Sequence, residues 1–237
     1  MRRTKNWFDE EVIKNGNKFE LCLVGRFLTE KNLNIPAMKS KMVDIWRSTT
    51  RINIKILSPG LFLFQFYHND DMQWMVNNGP RSFDGAILVT NTIPVGGNPT
   101  KIPLNEVDFW IQIYDLPSDF MSESIDKQLG NFFGTFLMYD SNNNASIWRE
   151  YMRIKVKVDV RSPLKRRKKI GSKNRKECIV NCKYEKLADF CFVCGVLSHT
   201  ERFCKKKIEG GTEGVTRKWG NWLRAPPRRG VAQGRSK

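Results

Sequence analysis

Fourteen residues near the C-terminal end, CFVCGVLSHTERFC, hold Cys191, Cys194, His199 and Cys204 at the spacing C-x2-C-x4-H-x4-C. Three thiolates and one imidazole form a closed tetrahedral set for one structural zinc ion. The intervals are short enough for one ion to gather all four ligands without a separate scaffold. Structural zinc binds small finger peptides with about 10–16 kcal/mol, enough to order such a segment by itself. Gly195 follows the second ligand, where a tight loop needs a residue without a Cβ clash. The chain has only two histidines, and one of them stands at the ligand position. Four unrelated residues explain that coincidence poorly.

Charge points from the metal site towards a polyanion. The formal net charge is +17, carried unevenly. Residues 161–237 hold 22 Lys+Arg against 6 Asp+Glu, and residues 1–160 hold 19 against 18. A near-neutral body with a strongly basic C-terminal third is the electrostatic footprint of nucleic-acid binding. The candidate phosphate contacts are Lys165, Arg166, Arg167, Lys168 and Lys169 before the motif, Arg202 inside it, and Lys205, Lys206 and Lys207 after it. Arg228 and Arg229 extend the basic run. No transmembrane stretch, signal peptide or basic amphipathic helix is visible, so a membrane surface ranks below nucleic acid. Six cysteines without a secretory segment fit a reducing, intracellular setting. The run KRRKK also reads as a nuclear-import signal, with the cytoplasm as the alternative.

The expected class is α+β. In order, the chain divides into a polar arm (1–18), an α+β domain (19–95), a linker (96–105), a second, smaller α+β region (106–187), the knuckle-like segment (188–206) and a basic, largely disordered tail (207–237). The second region carries a basic loop over 161–176. In the first domain, Phe19–Gly25 reads as a strand and Pro36–Thr49 as a helix with Met38, Met42, Ile45 and Trp46 on one face. Ile52–Leu57 and Leu61–Tyr67 bracket the turn Ser58-Pro59-Gly60. A helix over Asp70–Asn78 and a strand over Ala86–Asn91 follow. The order β-α-β-β-α-β is that of ferredoxin-like and RNA-recognition-motif folds. Such modules stack bases on exposed aromatics of the central strands. Here those positions fall on Cys22, Leu61 and Leu63, while Phe62, Phe64 and Phe66 alternate onto the core face. The first domain therefore reads as a scaffold or protein-contact module rather than a standard base platform.

In the second region, Phe109–Pro117 reads as a strand and Ser118 or Asp119 as a cap. The next helix carries Ile125, Leu129, Phe132 and Phe133 on one stripe and ends at Gly134. Tyr151–Val160 alternates Met152, Ile154, Val156, Val158 and Val160 with Arg153, Lys155 and Lys157. A Lys/Arg face of this kind is expected to be solvated.

The motif resembles the zinc knuckle of retroviral and retroelement nucleocapsid proteins. The resemblance implies that Phe192, which follows the first cysteine, stacks on an unpaired base. Ser198 and Thr200 stand where that family has a small and an apolar residue. Along its whole length, through FWIQIYDLP, KVDVRSPLKR, CKYEKLADF and WGNWLRA, the chain is similar to plant proteins that join a domain of unknown function to a C-x2-C-x4-H-x4-C knuckle. Those proteins are related to the first open reading frame of LINE-type retrotransposons. The resemblance implies a single-stranded RNA- or DNA-binding protein holding one structural zinc, with no catalytic activity and no small-molecule substrate. Self-association or a protein partner through the α+β body, with the tail supplying charge alone, is the alternative.

Several residues invite other readings. Cys178 and Cys182 suit buried thiols better than a second metal half-site. His68-Asn69-Asp70-Asp71 suits the start of a helix. His199-Thr200-Glu201 matches the His-x-Glu triplet of zinc deaminases, but Cys204 closes the coordination that such enzymes keep open. Trp219 and Trp222 fit base stacking and a hydrophobic anchor equally.

Overall fold

The computed structural model describes residues 18–46, 52–117, 120, 123–144, 150–172, 175–209 and 216–227. Residues 1–17 of the polar arm, the caps Ser118 and Asp119, and Arg228 onward lie outside them. The fold is α+β, built on two five-stranded antiparallel sheets.

The first sheet comes from β1 (Cys22–Leu28), β2 (Asn53–Ser58), β3 (Leu61–Gln65), β4 (Arg81–Phe83) and β5 (Ala86–Thr92). Helix α1 (Ile35–Trp46) joins β1 to β2, and α2 (Asn69–Asn77) joins β3 to β4. The strand order is β2-β3-β1-β5-β4. α1 turns Met38 and Met42 into the core, both fully buried. α2 begins at the His68–Asp71 cluster and places Asp70 and Asp71 in its first turn, where they complement the helix dipole. Phe62, Phe64 and Phe66 are buried as their alternation requires, but Cys22 and Leu63 on the opposite face are buried too. β1 starts three residues later than the hydropathy suggests, because Phe19–Cys22 closes a turn through the Cys22 N–H and the Phe19 carbonyl. β4 joins the expected strand at Ala86–Asn91 in a hairpin. Its turn residues Asp84 and Gly85 have φ of 48° and 77°, the pair of positive values that a two-residue Asp-Gly turn demands.

The second sheet contains β6 (Glu106–Tyr114), β7 (Thr135–Tyr139), β8 (Tyr151–Asp159), β9 (Arg167–Ser172) and β10 (Arg175–Tyr184), with α3 (Glu123–Phe133) between β6 and β7. Its order is β7-β8-β6-β10-β9. Counted from the first strand of each sheet, both orders read second, third, first, fifth, fourth. The helix that joins third to fourth strand in the first sheet has no counterpart in the second, where residues 160–166 make the connection. Phe109, Ile111, Ile113, Ile154 and Val156 are all fully buried together with Leu129 and Phe133 of α3. Gly134 ends α3 with its N–H on the Gly130 carbonyl. A Cβ at Gly134 would lie 2.2 Å from the Lys157 carbonyl oxygen, so the helix–strand approach requires glycine there.

Two expectations need correction. The stretch 161–176 is not a loop, since Arg167–Ile170 pair with Cys178–Asn181 as β9 against β10. The Lys/Arg face of β8 is not solvated: Arg153 and Lys155 are buried. The Arg153 guanidinium bonds Asp140 at 2.7 Å and Glu185 at 2.8 Å and lies 3.6 Å over the Trp110 ring. Lys155 and Lys157 share Asp108, at 3.7 and 3.0 Å.

The chain clusters into two compact units. One gathers the described parts of Met1–Arg26, Ile35–Asn77 and Thr90–Leu104, the other those of Phe27–Asn34, Asn78–Val89 and Asn105–Lys237. The β4–β5 turn thus belongs with the unit that carries the cysteine motif.

Candidate metal centre and nucleic-acid interface

β10 delivers the chain to the motif. Its last residue, Tyr184, is fully buried and donates its hydroxyl to the Lys165 carbonyl at 2.9 Å. The Cys191 N–H then bonds the Val196 carbonyl, and the Gly195 N–H bonds that of Cys191, closing a tight loop. Gly195 takes φ 77°, and a Cβ there would meet the Trp219 ring at 2.4 Å. Glycine is needed at this position for its conformation and for its lack of bulk.

The loop brings the four donor atoms of Cys191, Cys194, His199 and Cys204 within 4.8 Å of one another. His199 Nε2 lies 3.3 Å from Cys194 Sγ, close to the edge of a tetrahedron with metal–sulfur and metal–nitrogen bonds of about 2.3 and 2.0 Å. Ser198 Oγ is 3.2 Å from the other ring nitrogen, Nδ1, and can accept a hydrogen bond from it. Such a partner leaves Nε2 to face the metal. All three cysteines are buried. Burial pushes the Cys191 thiol up to about 12. At Cys204, burial also pushes upward, but the Lys207 and Lys206 N–H groups and the neighbouring thiols outweigh it and lower the value. A soft, closed set of three sulfurs and one ring nitrogen, the latter already oriented, fits one structural zinc.

Residues 158–206 match the zinc knuckle family. The matched stretch begins in β8 and includes the whole β9–β10 hairpin, so the knuckle comes with the strands that support it. Residues 15–94 match the Domain of unknown function (DUF4283). A DUF4283 domain followed by a zinc knuckle is therefore present. No curated protein matches the chain.

Around the knuckle, Phe192 is half-buried with its ring 5.0 Å from Phe190 in an edge-on contact. The basic run is divided among several supports. Lys165 and Lys168 lie over the Phe132 ring, at 4.6 and 4.3 Å. Arg166 stacks on Trp219 at 4.8 Å and donates to the Lys218 carbonyl. Arg167 is exposed, and Lys169 pairs with Glu177. Beyond the third ligand, Arg202 lies 5.8 Å from the Phe203 ring, and Lys205–Lys207 open the short helix α4 (Lys205–Glu209). Glu201, the acid of the deaminase-like triplet, is held by Arg217 through bonds of 3.0 to 3.2 Å. Cys182 is a buried thiol 3.0 Å from the Lys165 carbonyl, and burial raises its pKa strongly. Cys178 is half-buried.

Within the expected largely disordered tail over 207–237, the described stretch 216–227 is fastened to the knuckle and the strands before it. The Trp219 indole donates to the Leu164 carbonyl at 2.7 Å, and its backbone N–H bonds the Phe192 carbonyl. Trp219 is thus an anchor, whereas Trp222 is 52% exposed. Arg224 clamps the root of the knuckle through the Leu187 and Ala188 carbonyls and Asp189. Asp189 in turn donates its N–H to the Gly85 carbonyl at 2.9 Å. Sequence reasoning missed this docking of the β4–β5 turn. The Asp84-Gly85 dipeptide between Phe83 and Ala86 was the available signal for the hairpin.

Proposed function

We propose that the chain is a zinc-dependent nucleic-acid-binding protein of plant retrotransposon type, preferring single-stranded RNA or DNA. One observation carries the reading: a preassembled three-thiolate, one-imidazole cluster beside the half-buried ring of Phe192, with cations on both flanks. Held by Cys191, Cys194, His199 and Cys204, a zinc ion would fix the loop that carries Phe192. The ring offers a stacking face to an unpaired base, and Arg166, Arg202 and Lys205–Lys207 supply phosphate contacts.

The first sheet's order, β2-β3-β1-β5 with β4 added at the edge, supports an RNA-recognition-motif-like reading. Its usual stacking positions hold Cys22 and Leu63, both buried, which favours a scaffold or self-association role there. The donor set closes around the metal with no position for substrate, so the proposed role is binding without catalysis. The run KRRKK supports a nuclear site of action.

Fluorescence anisotropy with labelled single strands tests the proposal. Binding should weaken on chelation and in Phe192→Ala. On single strands, log affinity should fall with log salt by about 0.7 for each phosphate contacted. Binding that is steeply salt-dependent yet indifferent to chelation and to Phe192 would leave a charged tail on an assembly module.

A further inference from the structure

The face of the second sheet turned away from α3 carries aromatics and cations in register. Tyr151 of β8 pairs with Tyr114 of β6, Tyr114 with Asn181 of β10, and Asn181 with Arg167 of β9. Directly paired residues share a face, so these four form one row across four strands, about 14 Å long at ordinary strand spacing. The neighbouring row on the same face is Arg153, Gln112 and Lys183. On the other side, Lys169 pairs with Ile179, which is 48% exposed.

The rings are held for contact. Tyr114 and Tyr151 lie 5.3 Å apart, the Tyr114 hydroxyl donates to Gln112 at 2.6 Å, and Lys183 lies 4.4 Å over the Tyr114 ring. Glu150, beside Tyr151, is exposed and adds to burial in raising the Tyr114 hydroxyl pKa, whereas the other bordering acids are engaged. Asp140 and Glu185 hold Arg153, Asp108 holds Lys155 and Lys157, Glu177 holds Lys169, and Asp115 accepts from Asn181. Arg167 and Lys183 are the cations that flank the tyrosine row most directly. The same strand sends Lys168 to the α3 side, so β9 alternates its charges between two faces.

We propose that this face is a second nucleic-acid site, binding single-stranded RNA or DNA by stacking on the Tyr151–Tyr114 pair and by phosphate contacts from Arg167, Lys169 and Lys183. Aromatic faces interleaved with cations suit an unpaired strand, whose bases are free to stack, and give a duplex no ring to engage. The proposal rests on the nucleic-acid reading of the knuckle but places a separate contact on the sheet. The first sheet, with the same strand order, places Cys22, Val24 and Leu63, all buried, on its central face.

The test uses the full, zinc-loaded chain and anisotropy with single-stranded and duplex oligonucleotides. Tyr151→Leu should weaken single-strand binding roughly five- to a hundredfold, while Tyr151→Phe, which keeps the ring, binds as wild type. Arg167→Gln with Lys169→Gln should lower the salt slope by about 1.4 for the two contacts. Tyr151→Leu combined with Phe192→Ala should lose affinity as the product of the two single losses, as independent sites do. Tyr151→Leu and the Arg167/Lys169 pair binding as wild type while Phe192→Ala fails would overturn the sheet site and leave the knuckle reading intact. Equal loss in Tyr151→Phe and Tyr151→Leu would also overturn it, since stacking would not be the cause. A wild-type chain that binds no oligonucleotide would overturn both.

Discussion

The two sheets share one strand order but are built differently. In the first, α1 and α2 supply both crossovers, and the central strands bury apolar residues on both faces, Phe62 and Phe64 on one and Cys22 and Leu63 on the other. In the second, α3 supplies one crossover, and a short connection replaces the other helix. Leu164, on that connection, donates to the Gly195 carbonyl and accepts from the Trp219 indole. The knuckle and the strap after it are thus fastened where the first sheet has its second helix. Among the described residues, every buried polar or charged residue, from Gln112 to Lys155, lies in the second unit. The same topology rests in one case chiefly on apolar burial and in the other on an apolar core joined by buried ion pairs and the cysteine–histidine cluster.

Removing zinc should separate the two cases most sharply, since it withdraws on the order of 10 kcal/mol from the knuckle alone. Hydrogen exchange after chelation should show lost protection at the Gly195 and Trp219 amides and retained protection at Met72 in α2. Equal loss at all three would break the comparison. Next in size is Arg153→Met, which removes the cation that buried Asp140 and half-buried Glu185 share and should cost about 3–5 kcal/mol. Leu63→Ala on the third strand of the first sheet leaves a cavity instead and should cost about 2–4 kcal/mol. Denaturant unfolding of both, with Arg153→Met no worse than Leu63→Ala, would show that the ion cluster does not set the second sheet apart. Trp219→Ala should cost about 3 kcal/mol through loss of the anchor, and Trp222→Ala under about 0.5 kcal/mol. A reversal of that order in thermal unfolding would reassign the anchor.

What the sequence made legible follows the range of the forces involved. The metal ligands were readable because four donors within fourteen residues need no tertiary partner to meet. Period-2 alternation correctly placed Phe62, Phe64 and Phe66, and Met152 to Val158, in the core. The same alternation misjudged Arg153 and Lys155, since polar periodicity marks a face but not what covers it. Asp140 lies 13 residues from Arg153 and Glu185 lies 32, and neither distance leaves a local pattern. The run KRRKK reads as one loop because its charge outweighs the strand signal of Ile170. The ordering of Trp219–Arg224 was hidden for a similar reason, because its partners Leu164, Leu187 and Asp189 stand 30 or more residues away.

The last predicted effect is a pH dependence confined to the second unit. Burial pushes the Asp140 carboxyl upward, but hydrogen bonds from Arg153 and Asn142 outweigh it and hold the value below the ordinary carboxylate range. A carboxyl depressed by folding adds stability that is fully present above its unfolded value, near 3.9, and is lost as the pH falls through the lower folded value. Asp140→Asn removes that contribution at every pH. Wild type should therefore exceed the variant by about 1.5–3 kcal/mol at neutral pH, the range of a hydrogen bond to a charged group. The gap should stay level down to about pH 4 and narrow below it as Asp140 takes up a proton. Denaturant unfolding of both proteins from pH 7 to pH 2.5 measures the gap directly. A gap that widens on acidification would mean that Asp140 is protonated at neutral pH and that Glu185 alone balances the Arg153 charge.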